Sequence, residues 1–346
     1  MVKRKDGRGA GKPTIRDVAA AAGVSRGTVS RVINGGHWVS PDARAKVEAA
    51  IARTGYVASH SARSLATGRA GSIGFLLTEP QQLLFEDPNF SILYRAAAAA
   101  LAQDDLPLVL MVAGTQVERT QVLRYLKAGH VDGVLLFSSH EGDPVVGQLL
   151  DAGVPTVACG RPMGYEERMG WVAADDRAGG RTMTRHLLER GCRRLGMVTG
   201  PPDTSGGSER HFGFLDAMEE AGLAVDPSTV VHGDYSRASG AAGATELLAR
   251  HPDLDGLFVA SDLMAAGALE ALQRAGRAVP DDVLVGGFDD SGLAATLDPP
   301  LTTMRQPFAR ISEEMVRLLL WVIEGEDPAS IVLPTTLVER DSTVRR

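Results

Sequence analysis

The sequence predicts a small all-α domain followed by a larger, bilobal α/β domain with two doubly wound parallel sheets. Three short amphipathic segments between residues 14 and 59 predict the helices of the first domain. From Ser72 onward, continuous apolar runs alternate with amphipathic segments in two successive series. Apolar runs without polar alternation are typical of strands covered on both faces, as in parallel sheets. Two such series indicate two lobes with a cleft between them.

The N-terminal segment has the sequence features of a helix-turn-helix. Thr14 can cap the first helix, and Gly23 suits the tight turn after it, because glycine adopts a left-handed backbone without a side-chain clash. Ser25 can cap the second helix, and Ser40 followed by Pro41 marks the start of a third. Apolar residues at helical spacing predict one small core shared by the three helices.

In a helix-turn-helix the second helix lies in the major groove of DNA, and its first residues reach base edges. Arg26 is the predicted base reader, because a guanidinium can bond O6 and N7 of guanine together for about 1–3 kcal/mol of discrimination. Gly27 has no side chain and is expected to permit close approach. A small helical bundle that binds protein is the alternative. The residues of this domain expected to contact DNA are Thr14, Ser25, Arg26, Gly27, Thr28, Ser30, Arg31 and Asn34.

The distribution of charge favours a nucleic-acid contact at the N-terminal end alone. Up to Arg69 the chain carries 13 Lys and Arg against 4 Asp and Glu, whereas the remaining residues carry 23 against 39. A basic head on an acidic body is typical of a protein that binds DNA through one end. Residues 1–13, where five Lys and Arg lie among glycines, are expected to form a flexible basic arm.

The composition favours a reduced, cytoplasmic setting. The chain has no apolar run of about 18 residues and no signal-peptide pattern at its start, so neither membrane spanning nor export is expected. The two cysteines, Cys159 and Cys192, have no metal or redox spacing. The 346 residues exceed what one core usually supports, which agrees with a small domain and a bilobal one.

Residues 14–69 resemble the head and hinge of the lactose-repressor (LacI/GalR) family of bacterial transcription factors. The resemblance rests on the two capped helices and on the segment YVASHSARSLATG at residues 56–68, and it continues over nearly the whole chain. It implies a helix-turn-helix DNA-binding domain over residues 14–59 and a hinge helix with linker over residues 60–70. It further implies a periplasmic-binding-protein-like domain for effector binding and dimerisation over residues 71–346.

The resemblance also implies how the hinge works. In this family, the segment that matches residues 61–67 folds into a helix only on the operator, and paired hinge helices push a leucine into the minor groove at a central CpG step. Such a short helix is marginal alone, and an apolar wedge can kink DNA. The alternative makes Leu65 an ordinary apolar linker residue. The hinge residues expected to contact DNA are Ala62, Arg63 and Leu65.

The body is predicted from its apolar runs. The first series places strands at residues 72–77, 106–112, 131–137 and 154–158, and the second at residues 194–199, 229–232, 256–260 and 283–288. By the resemblance, lobe 1 covers about residues 71–171 and 305–329, and lobe 2 covers about residues 172–304 and 330–346. No leucine-heptad tail follows, so a homodimer on a pseudo-palindromic operator is expected rather than a tetramer.

Polar residues at predicted strand and helix ends are expected to line the cleft between the lobes. Carboxylates and a guanidinium that converge there suit vicinal hydroxyls, so a carbohydrate or a nucleoside is the natural ligand. The resemblance implies the same, because Asp175, Arg210 and Asp289 match positions that commonly bond the effector. The predicted effector-binding residues are Phe90, Asp175, Arg210, Ser261, Asp289 and Gln306.

Three of these residues also have a structural interpretation. Asp175 can pair with a nearby surface arginine, Asp289 can cap the turn after its strand, and Phe90 can belong to the core. The segment at residues 79–85 reads as a long loop and is a candidate for effector choice.

Two other functional classes compete with a ligand-controlled regulator. A solute-binding protein of a sugar transporter shares the bilobal fold, but it would need a signal peptide and has no use for residues 14–69. An enzyme is disfavoured because the sequence has no phosphate-binding loop, no G-x-S-x-G elbow and no metal-ligand cluster. The sequence therefore predicts a DNA-binding repressor without a cofactor, controlled by a small molecule, most simply a sugar. A corepressor-dependent purine or nucleoside regulator is the alternative.

Overall fold

The computed structural model describes residues 13–33, 38–56 and 68–345. The chain divides into two compact units, of which the first ends at Gly71 and the second begins at Ser72. The predicted hinge helix lies outside the described residues, as do four of the predicted DNA contacts. These four are Asn34, Ala62, Arg63 and Leu65.

The first unit contains three helices, α1 (Ile15–Ala22), α2 (Arg26–Ile33) and α3 (Pro41–Thr54). Gly23 ends α1 with a φ of 67°, and Ser25 caps α2 by accepting a hydrogen bond from the Thr28 amide at 3.1 Å. The Arg53 guanidinium donates to the Ala21 carbonyl at 2.7 Å and so ties α3 to the end of α1. The predicted helices and their common core are confirmed. The buried side chains of that core are Val18, Ala19, Val29, Val32, Val47 and Ala50.

The first lobe of the second unit is built on a parallel sheet of six strands. They are β1 (Ile73–Leu77), β2 (Leu108–Val112), β3 (Gly133–Phe137), β4 (Thr156–Cys159), β5 (Gly170–Ala174) and β11 (Ser330–Leu333), in the order β11-β5-β4-β3-β1-β2. The helices of this lobe are α4 (Gln81–Glu86), α5 (Pro88–Leu101), α6 (Gln116–Lys127), α7 (Pro144–Asp151) and α12 (Phe308–Glu324). All five residues of β1 and of β3 are buried, as their continuous apolarity predicts.

The second lobe repeats this plan. Its strands are β6 (Leu195–Thr199), β7 (Val230–His232), β8 (Gly256–Val259), β9 (Leu284–Asp289), β10 (Thr302–Arg305) and β12 (Thr336–Val338), in the order β12-β10-β9-β8-β6-β7. All neighbours are parallel except β12, which runs antiparallel to β10. The helices are α8 (Asp176–Glu189), α9 (Ser205–Glu220), α10 (Arg237–Arg250) and α11 (Asp262–Arg274). The predicted pair of doubly wound sheets is confirmed.

The pairing of strands β5 and β11 shows where the chain passes from the first lobe to the second. Strand β5, which spans the approximate boundary expected near residue 171, pairs with β4 in the first sheet. Strand β11, which lies at the approximate boundary expected near residue 330, pairs with β5 in the same sheet. The chain therefore crosses after Ala174 and after Leu333, because each of these strands completes the sheet of lobe 1 before the chain leaves it.

The segment at residues 79–85, read from the sequence as a long loop, contains the short helix α4. An isolated six-residue helix is marginal, so tertiary packing must stabilise it. Leu83 supplies that packing because it is buried in the core of the first lobe. Within the described parts of the chain, no helix combines the length and the apolarity needed to cross a membrane.

Candidate functional site

A cavity of about 150 Å³ lies between the two lobes. It sits beyond the carboxyl ends of strands from both sheets, where ligands of doubly wound folds bind. Five of the six predicted effector residues line it, namely Phe90, Arg210, Ser261, Asp289 and Gln306. The other polar residues in its wall are Asp87, Asn89, Ser138, Ser139, Asp176, Thr204, Ser205 and Tyr235.

Arg210 is the cation of this cavity. Its Nε donates to Asp176 Oδ1 at 2.8 Å, its Nη1 donates to the Ala260 carbonyl at 2.6 Å, and its guanidinium lies 3.8 Å from the ring centroid of Phe288. Burial acts to lower the pKa of Arg210, but the negative charge of Asp176 raises it above its usual value. A charged guanidinium with three fixed neighbours is a rigid donor for a ligand oxygen.

Two helices position Arg210 because glycines let them approach closely. A Cβ added to Gly180 of α8 would lie 2.4 Å from the Arg210 carbonyl oxygen, and one added to Gly213 of α9 would lie 2.2 Å from the Arg177 carbonyl oxygen. Both distances are shorter than any ordinary contact. The backbones of α8 and α9 therefore touch at these glycines, which sets where the Arg210 side chain leaves its helix.

Asp289 ends β9 and faces the cavity from the second lobe. Its Oδ1 accepts a hydrogen bond from Gln306 Nε2 at 2.7 Å, and its Oδ2 accepts one from Asn89 Nδ2 at 2.9 Å. Arg210 Nη1 lies 3.6 Å from Oδ1. Burial raises the pKa of Asp289, although Arg210 opposes the shift. These contacts hold the carboxylate in a single orientation.

Backbone strain is concentrated around the cavity. Of the five non-glycine residues with positive φ in the described parts of the chain, three line it: Ser138 (60°), Tyr235 (66°) and Asp289 (124°). Such conformations destabilise the fold by about 1–3 kcal/mol each and tend to persist at ligand-binding sites. The cavity is therefore a region where the fold tolerates strain.

The structure displaces the predicted contact at Asp175 by one residue. Asp175 does not line the cavity; its side chain caps α8 by accepting from the Ala178 amide at 3.0 Å. Asp176 is buried instead and carries the carboxylate that meets Arg210. The shift has a simple cause, since the strand ends at Ala174 and the next residue already turns to begin the helix.

Three other predicted residues also have structural partners. Phe90 is 8% exposed and packs in the core of the first lobe while its edge lines the cavity. Ser261 caps α11 by accepting from the Met264 amide at 3.2 Å. The Gln306 side-chain amide donates a hydrogen bond to Asp289. Each of these three residues therefore supports the cavity wall as well as lining it.

Sequence reasoning missed the polar wall that the first lobe contributes. Asp87 caps α5, which begins with Pro88, and both Asp87 and Asn89 line the cavity. Burial and the nearby charge of Asp289 raise the pKa of Asp87 to about 7. Asp87 followed by Pro88 is a sequence signal for the start of this helix.

An interlobe clasp, formed by Glu79, His140 and Asp203, closes one side of the cleft. His140 of the first lobe lies 2.8 Å from Glu79 Oε1 through Nε2 and 2.9 Å from Asp203 Oδ2 of the second lobe through Nδ1. The Glu141 amide adds a 2.7 Å hydrogen bond to the Asp203 carbonyl. The hydrogen bond to Glu79 raises the pKa of His140 to about 9, although burial opposes it. The charged imidazole therefore joins two carboxylates across the cleft.

The first unit presents the predicted recognition face to solvent. Arg26, Gly27 and Arg31 are exposed on α2, whereas Val29 and Val32 of the same helix are buried. Of the remaining predicted contacts, Thr14 and Ser25 are exposed, and Thr28 and Ser30 are half-buried. The exposed face of α2 therefore carries two arginines and a glycine that leaves room between them.

Comparison with known proteins places both units in known families. Residues 14–59 match the family described as bacterial regulatory proteins, lacI family, and residues 184–343 match the periplasmic binding protein-like domain. The HTH-type transcriptional regulator CelR of Thermobifida fusca is 43% identical over 334 residues, which cover 96% of this chain and 98% of that protein. The ribose operon repressor of Halalkalibacterium halodurans is 36% identical and covers 95% of this chain and 97% of its own.

Two solved structures extend the comparison. A complex of the transcriptional regulator CelR with cellobiose has a TM-score of 0.78 and 42% identity, and covers 96% of this chain and 100% of its own. A lac repressor dimer bound to operator and the anti-inducer ONPF has a TM-score of 0.83 and 26% identity, with 97% and 100% coverage.

Proposed function

Because the chain belongs to the lacI family of bacterial regulatory proteins, it is a sequence-specific DNA-binding transcriptional regulator, and we propose that cellobiose or a closely related neutral disaccharide controls it. The observation that carries the proposal is the polar cavity between the lobes, with fixed carboxylates and one fixed guanidinium. The relative with 42% identity whose structure contains cellobiose supports this choice of sugar.

The charge of the cavity favours a neutral ligand. Among the described residues that line it, Asp87, Asp176 and Asp289 are carboxylates, and Arg210 is the one guanidinium. An anionic effector, such as a sugar phosphate, would bring further negative charge to a site where burial already disfavours charge and raises the pKa of Asp87 and Asp289. Sugar hydroxyls donate hydrogen bonds to carboxylates and accept one from a guanidinium, so they satisfy both kinds of group.

The regulatory mechanism requires two states of the protein with different affinity for the sugar. Binding between the lobes stabilises their closed arrangement, and in a homodimer this changes the spacing of the two hinge segments on a pseudo-palindromic operator. The regulator represses, and the sugar releases it. The differential affinity needs to be about 1–3 kcal/mol for such a switch to operate.

On the DNA side, Arg26 reads base edges, and the outward residues around it on α2 fix the helix in the major groove. Leu65 and its hinge neighbours Ala62 and Arg63 contact the minor groove at a central CpG step. Support comes from the exposure of Arg26 and Arg31 on the same helix and from the basic composition of the chain up to Arg69.

The direct test is a titration of the purified protein onto labelled DNA from upstream of its own gene. Fluorescence anisotropy measures the binding. The titration is repeated with cellobiose, with ribose and with a purine base. We expect tight, salt-dependent binding that cellobiose weakens by about 5- to 150-fold. Binding that no sugar changes but a purine base strengthens would contradict the proposal and favour a corepressor-dependent regulator.

A further inference from the structure

We propose that Asn89 is a specificity-determining residue of the effector site, whose side-chain oxygen accepts a hydrogen bond from one hydroxyl of the sugar. Its amide nitrogen at the same time binds the opposite lobe. The inference deepens the proposed function and rests on a sugar as the effector.

Asn89 lies in the first turn of α5 and is 9% exposed. Its Nδ2 donates to Asp289 Oδ2 at 2.9 Å across the cleft. Its Oδ1 is buried and has no protein hydrogen-bond partner among the described residues. Because Asn89 lines the cavity, a molecule held there is in position to supply the missing donor.

The orientation of the amide group is fixed by chemistry. Only the NH2 group can donate to the Asp289 carboxylate, and the reversed amide would set two acceptors against each other. The carboxylate cannot turn away, because its other oxygen is held by Gln306 at 2.7 Å. The Asn89 oxygen is therefore the atom left for the ligand.

A second buried atom provides a useful contrast. Asp143 Oδ2 also has no hydrogen-bond partner among the described residues, but Asp143 does not line the cavity. Its other oxygen accepts from the Val145 amide at 2.8 Å and lies 3.5 Å from Arg119 Nη1, so the carboxylate is otherwise well compensated. Asn89, by contrast, belongs to the wall of the ligand cavity.

The chemistry around Asn89 defines what the ligand must present. Asp87, Asp289 and Asn89 Oδ1 all offer acceptors at this end of the cavity. A hydroxyl group can donate to them, whereas an ionised carboxylate or a fully ionised phosphate group cannot. Since Asn89 binds Asp289 as well, the same residue contacts the sugar and the second lobe, which links recognition of one hydroxyl to closure of the cleft.

The test compares cellobiose with its monodeoxy derivatives by isothermal calorimetry, on the full chain and on the variant Asn89→Leu. Leucine has a similar volume but no oxygen. In the original protein, we expect one derivative to bind about tenfold more weakly than cellobiose. In Asn89→Leu, cellobiose and that derivative should bind equally, while the other derivatives keep their discrimination.

Asn89→Ala is the second variant, because it removes the same oxygen without adding apolar bulk. Ser91→Ala, an exposed position on the same helix, is the matched control and should retain the original discrimination. Thermal unfolding of each variant checks that the fold is kept. If the Asn89 variants distinguish each derivative from cellobiose to the same extent as the original protein does, the inference about Asn89 is overturned while the sugar effector stands. If cellobiose does not bind the original protein, the inference about Asn89 and the proposed sugar effector are both refuted.

Discussion

At the scale of single residues, Arg210 is held by three groups, since it contacts Asp176, the Ala260 carbonyl and the ring of Phe288. Arg210→Lys keeps the charge but loses the planar group that makes these contacts together. We expect the response to cellobiose to be lost and operator affinity to stay within about twofold, because the DNA-binding helices belong to the other compact unit. Operator titrations with and without cellobiose measure both effects.

The matched control for this substitution is Arg177→Lys. Arg177 pairs with Asp216 on the surface of the same lobe, where solvent screening leaves an ion pair with little effect on stability. The response of the Arg177→Lys variant to cellobiose should therefore remain close to that of the original protein. An equal loss of operator binding and of cellobiose response in Arg210→Lys would refute the separation of the two roles.

Arg26 gives the corresponding prediction for the DNA-binding unit. Arg26→Ala should weaken binding to the operator by about 1–3 kcal/mol and leave binding to unrelated DNA almost unchanged, because a base contact confers specificity. Arg16→Ala is the control, since Arg16 is exposed on α1 rather than on the recognition helix. Competition binding with operator and scrambled DNA measures the ratio. A parallel loss on both DNAs would assign Arg26 to phosphate contact instead.

The limit of sequence-based prediction is visible at Asp175 and Asp176. Two adjacent carboxylates follow a strand, and the sequence correctly predicts that carboxylates gather at this strand end. Which of the two turns inward depends on where the strand stops, and a change of one residue reverses the direction of the side chain. Asn89 was missed for another reason. It binds Asp289, which lies 200 residues further along the chain, and local sequence patterns do not predict such a contact.

At the scale of elements, the close packing of α8 on α9 determines where Arg210 points. Gly180→Ala places a methyl group against the Arg210 carbonyl oxygen, at 2.4 Å in the present geometry. We expect a loss of about 1–3 kcal/mol of stability and a weaker affinity for cellobiose, because α9 must move outward. Thermal unfolding and calorimetry measure the two effects.

Thr182→Ala tests whether this effect is specific to the helix contact. Thr182 is exposed on the same helix α8, so the substitution should change neither stability nor affinity by more than about 0.5 kcal/mol. If Gly180→Ala behaves like Thr182→Ala, the contact between the helices does not position Arg210.

The helices and strands with strong apolar periodicity were predicted well, whereas α4 was read as a loop. Six residues carry too little periodic signal, and the helix depends on Leu83 reaching the core of the lobe. The lobe boundaries were predicted only approximately for a related reason. Strands β5 and β11 pair with each other although about 160 residues separate them, and the pairing partner of a strand is not written in its own sequence.

At the scale of the whole second unit, contacts that join the lobes hold the cleft in its present arrangement, and the interlobe clasp is one of them. Its pH dependence follows from the pKa of His140, which lies at about 9 in the folded protein against 6.5 for the free side chain. The folded state therefore holds this proton more tightly than the unfolded state does. The resulting stabilisation is complete below pH 6.5 and is lost as the pH rises through about 9.

His140→Gln keeps a polar side chain of similar size but removes the positive charge between Glu79 and Asp203. The variant should unfold at a lower temperature than the original protein near pH 6.5, and the difference should disappear above about pH 10, where His140 is neutral in both states. His130→Gln, at an exposed position of the same lobe, is the control and should match the original protein throughout. Thermal unfolding between pH 6 and pH 10.5 provides the measurement. A difference that stays constant across this range would mean that His140 contributes packing alone, and the cleft would then owe nothing to its charge.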